Sequence, residues 1–178
     1  VTYQKPGNAF LGLLHRLDRP VAGIVLFAKT SKGAARLSEQ FRAHTVRKIY
    51  WACVEGGPEA ERGTLIHFLK KNKETNTVSV FKNEQPGALR AELSYRVLKR
   101  EKKCSMIEIE LKTGRSHQIR AQLAASGFPI VGDRKYGAGQ SRSRDIALAA
   151  VELEITTVTT SVRLILRLGE VESLVNLT

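Results

Sequence analysis

Hydrophobic positions along this chain change their spacing several times, and each change marks an element. Val21 to Ala28 is a short apolar, β-branched run that suits a buried strand, whereas residues 1–20 read as loop around the turn signal Lys5-Pro6-Gly7-Asn8. Thr30 and Ser31 can cap a helix, and Ala34, Leu37 and Phe41 then recur at helical spacing, which predicts a helix over 32–43. Ile49, Trp51 and Cys53 alternate with Tyr50, Ala52 and Val54, a strand that Gly56-Gly57-Pro58 stops. The polar stretch 58–90 leaves room for short strands at 64–69 and 77–81. Alternation sharpens at 92–98 and at 105–111, where Ile107, Ile109 and Leu111 share a face. A helix fits 116–126, with Ile119 and Leu123 one turn apart and Gly127 placed to end it. Strands are predicted at 146–156 and 161–168, and the basic stretch Ser141 to Asp145 reads as a mobile loop. With no internal repeat and no linker, the pattern describes a single α+β domain over 1–178.

Charge changes that picture from a fold to a partner. Lys and Arg total 29 against 17 Asp and Glu, a net +12, and such an excess attracts polyanions, nucleic acid first among them. A solvated basic surface without a partner is the alternative. No apolar run approaches the roughly 18 residues that span a bilayer, so no membrane role is expected. Cys53 and Cys104 belong to no CxxC or Cys/His cluster, which predicts neither a zinc site nor a disulfide scaffold, and fits a reducing, cytoplasmic setting.

Three segments place charge beside turn residues. In His15-Arg16-Leu17-Asp18-Arg19-Pro20 a carboxylate sits between two arginines, where nearby cations favour the ionised form and so a nucleophile or base. An ordinary loop ion pair has the same composition. In Lys48-Ile49-Tyr50 an aromatic stands beside a cation, able to stack on a base or simply to pack in a half-buried strand. In Thr113-Gly114-Arg115-Ser116-His117-Gln118-Ile119-Arg120 a glycine turn feeds a helix N-terminus carrying arginines, a histidine and an amide. That arrangement suits an anion as well as it suits a capped helix with a solvated basic face. No metal, cofactor or phosphate-loop signature accompanies these segments. The residues alone therefore point to a basic, RNA-directed domain with a possible carboxylate-centred site.

The same segments carry a resemblance. HRLDRPVAGIVLFAKTSKGAARLSEQF (15–41), KIYWACVEG (48–56) and LKTGRSHQIRAQLAASGFPIVGDRKYGA (111–138) resemble, in order, the signature segments of RluA-type RNA pseudouridine synthases. The resemblance implies the pseudouridine synthase fold, a mixed and largely antiparallel bent sheet with flanking helices and a central cleft. It implies isomerisation of uridine in rRNA or tRNA to pseudouridine, with no metal or organic cofactor, by a monomer acting on RNA. By resemblance Asp18 is the catalytic carboxylate, Tyr50 stacks on the target base, and Arg115 pairs with the aspartate. Arg16 handles the flipped nucleotide, while Arg19, Lys48, His117, Gln118 and Arg120 complete the RNA-binding set. Some features depart from the family pattern. A strand usually found before HRLD is absent, no N-terminal RNA-binding module of the S4 kind appears, Ala22 replaces a usual serine, and residues 151–178 match poorly. A non-catalytic RNA-binding domain of the same fold is one rival. A carboxylate glycosidase is the other, though it would need a second acid.

Overall fold

The computed structural model describes residues 10–139, 145–157 and 162–168. Its order is β1 (Gly12–Leu13), β2 (Ala22–Gly23), β3 (Phe27–Ala28), α1 (Ser31–Arg42), β4 (Arg47–Glu55), β5 (Arg62–Asn72), β6 (Thr77–Phe81), β7 (Leu89–Arg100), β8 (Cys104–Leu111), α2 (Gln118–Ala125), a 3₁₀ turn (Arg134–Tyr136), β9 (Leu148–Thr156) and β10 (Arg163–Arg167). The alternating segments become a sheet ordered β10-β9-β4-β8-β7-β5-β6, antiparallel at each of these pairings. Strand β2 adds the one parallel pairing, Ala22 opposite Ala149 and Gly23 opposite Ala150, end to end with β10 along the same edge of β9. The sheet is thus mixed and largely antiparallel, as expected.

Two predicted segments differ from the expectation. The apolar run 21–28 is not one strand: its ends become β2 and β3, and β3 turns away to pair with β1 inside the stretch expected to be loop. The chain reverses at Asp18, whose carbonyl accepts the Val21 N–H at 2.9 Å, and the start of the run is laid alongside β9. Gly23 makes that approach possible. At φ +124 it lies where a Cβ would come within 2.3 Å of the Ala150 carbonyl oxygen, so only glycine fits. The expected loop Ser141 to Asp145 falls almost wholly outside the described residues.

The capping expectation holds for α1: Thr30 is its N-cap and accepts the Gly33 N–H. Helix α2 begins two residues later than predicted, with His117 as N-cap at a left-handed φ of 49. Gly127, at φ +90, follows its end. The main core lies between α2 and one face of the sheet, where Leu93, Ile107, Ile109, Leu123 and Val54 are essentially inaccessible. On the other face Trp51 sits opposite Glu108 and donates its indole N–H to that carboxylate at 3.3 Å. Cys53 and Cys104 are buried free thiols. Among the described residues no helix is long and apolar enough to cross a membrane.

Candidate active site

The three charged segments meet at a cleft of about 1020 Å³ whose lining includes all nine residues singled out from the sequence. Asp18 enters it from the turn before β2 and keeps 28% of its side chain exposed. The stretch that carries Asp18 is pinned at both ends. Upstream, His15 accepts the Leu26 N–H at Nε2 (3.1 Å) and stacks on Phe41; downstream, Ile24 N–H donates to the Ala150 carbonyl. Burial, followed by the Lys48 charge, lowers the His15 pKa, which keeps the ring neutral as that acceptor role requires. Arg16 and Arg19 flank Asp18 and are exposed at the rim.

Tyr50 is buried in β4, opposite Ile109, at 9% exposure. Burial and the neighbouring Asp18 charge push its pKa up to about 12, so at neutral pH it is a phenol with an intact aromatic face and a poorly acidic hydroxyl. Lys48, two residues earlier, is half-buried, and burial lowers its pKa.

The third segment departs from expectation in its division of labour. The arginine standing against Asp18 is Arg120, with Nη1 at 3.5 Å from Oδ2, whereas Arg115 donates from Nε to the Arg90 carbonyl at 3.0 Å. The Arg115–Asp18 pair expected by resemblance is therefore corrected to Arg120–Asp18. The reason is helical geometry: Arg120 lies inside α2 on the side facing the cleft, while Arg115 precedes the helix and is drawn toward β7. Gln118, expected to touch RNA, is 3% exposed, and its amide holds the preceding loop. Its Oε1 accepts from Thr113 Oγ1 (2.8 Å) and Arg115 N–H (2.9 Å), and its Nε2 donates to the Glu92 carbonyl. His117 is 8% exposed, with Nε2 at 4.0 Å from Asp18 Oδ2.

Two further residues of the site lie in the segment 111–138 that carries the resemblance, where they were given no role. Asp133, 1% exposed, grips Arg120 through two bonds, Nε to Oδ2 at 2.7 Å and Nη2 to Oδ1 at 2.8 Å. That fork geometry fixes the guanidinium and leaves Nη1 for Asp18. Although burial acts to lower it, the Arg120 pKa is raised by the bond and charge of Asp133 and by Asp18. Tyr136 lies under the same guanidinium, 5.1 Å from it to the ring centre. Gly132 and Gly137, both at positive φ, frame these residues. Among the described residues no cluster of three or more His, Cys, Asp or Glu could hold a metal ion.

The model of the RNA pseudouridylate synthase family matches residues 2–125. Among curated proteins, ribosomal large subunit pseudouridine synthase C of Vibrio cholerae is 37% identical over 133 residues, 75% of this chain and 41% of that protein. An uncharacterized RNA pseudouridine synthase of Zymomonas mobilis is 35% identical over 146 residues, 80% of this chain and 66% of that one. Among solved structures, human RNA pseudouridylate synthase domain containing 1 superposes with a TM-score of 0.78 at 25% identity, covering 93% of this chain and 72% of that one. The chain spans about two fifths of the length of the Vibrio relative.

Proposed function

The chain belongs to the RNA pseudouridylate synthase family, and from that premise we propose that it carries the catalytic centre for converting uridine in rRNA or tRNA to pseudouridine. The observation that carries the reading is Asp18 in an open cleft, beside the buried ring of Tyr50 and against the anchored guanidinium of Arg120.

The reaction breaks the N1–C1′ bond, turns the uracil, and rejoins it through C5, so that C5 loses a proton and N1 regains one. A uridine must leave its stack to reach Asp18, at a cost of about a few kcal/mol that is lowest in loops. Arg16 and Arg19 at the rim, with the partly exposed Arg115, offer the phosphate contacts that offset this cost and make binding salt-dependent. Tyr50 presents a flat apolar face to the flipped base. Arg120 orients the Asp18 carboxylate for attack on the sugar, addition to the pyrimidine, or removal of the C5 proton. A monomer working in the cytoplasm belongs to the same proposal, the two free thiols suiting a reducing compartment.

A glycosidase would need a second available carboxylate. Asp133 has both oxygens engaged by Arg120 and is shut from solvent, so it cannot be that acid; Asp145 also lines the cleft, and the product of the reaction decides between the two readings. The test is tritium release from RNA transcribed with [5-³H]uridine, on rRNA and tRNA in parallel. Wild-type protein should release tritium, and Asp18→Ala should release none while keeping most RNA affinity, because phosphate contacts dominate binding. RNA binding without release would favour the non-catalytic alternative, and free uracil would favour hydrolysis.

A further inference from the structure

Behind Asp18 lies a short segment that reaches the cleft only through Lys135. It runs from Asp133 to Tyr136, between Gly132 at φ +83 and Gly137 at φ +87. A Cβ on Gly132 would come within 2.5 Å of the Asp145 carbonyl oxygen, so the entry to the segment has one backbone path. Each end serves one of the two groups that face Asp18. Asp133 holds Arg120, and Tyr136 holds His117, with its hydroxyl 2.7 Å from His117 Nδ1.

The hydrogen bonds around Tyr136 determine which way that contact runs. The Val78 backbone N–H donates to the phenolic oxygen at 3.1 Å, and the Arg120 guanidinium above the ring can only donate. The acceptor these contacts leave for the phenol's own proton is His117 Nδ1. A neutral imidazole that accepts at Nδ1 carries its proton on Nε2, the nitrogen 4.0 Å from Asp18 Oδ2. We propose that Tyr136 is a positioning residue, which donates to His117 Nδ1, fixes the Nε2–H tautomer and so turns an uncharged N–H toward Asp18 on the side opposite the charged Arg120. The role assigned to Asp18 rests on the pseudouridine synthase reading; the tautomer does not.

The surroundings of His117 agree. Burial chiefly lowers its pKa, and Arg120 on its own helix, Lys135 on the 3₁₀ turn and Lys71 on β5 act the same way, outweighing Asp18. The ring is therefore neutral near pH 7, and Tyr136 meets it edge-on with ring planes 89° apart. The left-handed backbone at His117 (φ 49) is a conformation that non-glycine residues adopt only when their surroundings hold them there. At 4.0 Å this N–H faces the carboxylate beyond direct hydrogen-bond length and adds no second full charge beside it.

The test uses the full chain, ¹⁵N-labelled, with long-range ¹H–¹⁵N spectra of the four histidine rings near pH 7.5 and His117→Gln for assignment. Wild-type His117 should appear as the Nε2–H tautomer. In Tyr136→Phe, which keeps the ring and loses the hydroxyl, a mixture with Nδ1–H should appear and the His117 pKa should rise. Tritium release should then fall about ten- to a hundredfold in kcat, with KM within about twofold. A wild-type Nδ1–H tautomer, or a Tyr136→Phe protein with unchanged tautomer and kcat, would overturn the proposal. If Tyr136→Phe fails to fold, the wild-type tautomer alone decides. A wild-type protein that shows the Nε2–H ring but never releases tritium would fail the pseudouridine reading and leave the tautomer assignment standing.

Discussion

Arginines and carboxylates meet in two regions of this molecule, under opposite conditions. On the back of the sheet Arg47 reaches Glu152 at 2.7 Å and Glu110 at 3.5 Å, Arg163 reaches Glu154 at 2.7 Å, and Arg167 reaches Glu152 at 2.7 Å. The arginines of this ladder are between 42% and 74% exposed. In the cleft Arg120 meets Asp133 at the same 2.7 Å, but the two side chains are 7% and 1% exposed. Equal distances conceal unequal consequences. A ladder pair that breaks is re-solvated, so its members are interchangeable and each adds little. A cleft pair that breaks leaves a charge in a dry place, so both partners are required and their geometry is held.

The largest effect that separates the two regions should come from Asp133→Ala. Stranding Arg120 should cost about 3–5 kcal/mol of unfolding free energy, read by urea denaturation. A loss below about 1 kcal/mol would mean that Arg120 swings into solvent, and the contrast would collapse. The double variant Asp133→Leu/Arg120→Met, which removes both charges, should recover most of that stability while leaving Asp18 without its orienting arginine.

A second contrast is in pH. His15, His67 and His117 all have pKa values lowered, by burial first. As pH falls the unfolded chain takes up their protons first, so their contribution is full above the ordinary value of about 6.5 and is lost below it. On the ladder side burial acts to raise Glu108 and Glu110, but Arg96 and Trp51 at the one, and Lys112 and Arg47 at the other, hold them lower. Their contribution is also lost on acidification, but only from about 4.5 downward. Melting temperature should therefore drop in two steps. The step near pH 6 should shrink in His15→Asn, and a single step near pH 4 would show that the buried histidines do not matter.

The smallest effect should be that of Glu152→Gln, about 1 kcal/mol or less, and fading in 1 M salt as screening removes the exposed pairs. A salt-independent loss as large as that of Asp133→Ala would erase the distinction between the regions.

The sequence shows these two regions unequally. Alternation at Ile107, Ile109 and Leu111 revealed the strand and its buried face, because period-two burial is written directly into residue type. The split of 21–28 was hidden, since two-residue strands have no period, and its cause is a backbone contact between Gly23 and Ala150 far along the chain. Helix α2 was placed nearly correctly, but its basic and amide residues left open whether they bind an anion or form a solvated face. Gln118, Arg120 and Gln122 are buried instead, and what buries them is sequence-distant: Asp133, Glu92 and Leu65 supply the partners. For the same reason the resemblance located the right segment yet assigned the Asp18 partner to Arg115. Five residues separate the two arginines, and only the fold decides which of them faces the cleft. Asp133 and Tyr136 lay inside the resembling segment without a role, because a 3₁₀ turn of three residues has no hydrophobic period to show where its side chains face.

Tyr50 and Trp51 are adjacent in one strand and point to opposite sides of the sheet. Trp51 is the chain's single tryptophan, and the β4 backbone screens its indole from anything stacked on the Tyr50 side. Its fluorescence is thus a built-in reporter of whether the sheet is intact that a nucleobase entering the cleft cannot quench by contact. Unfolding and RNA binding can consequently be followed in one cuvette, the first by tryptophan emission and the second by a label on the RNA.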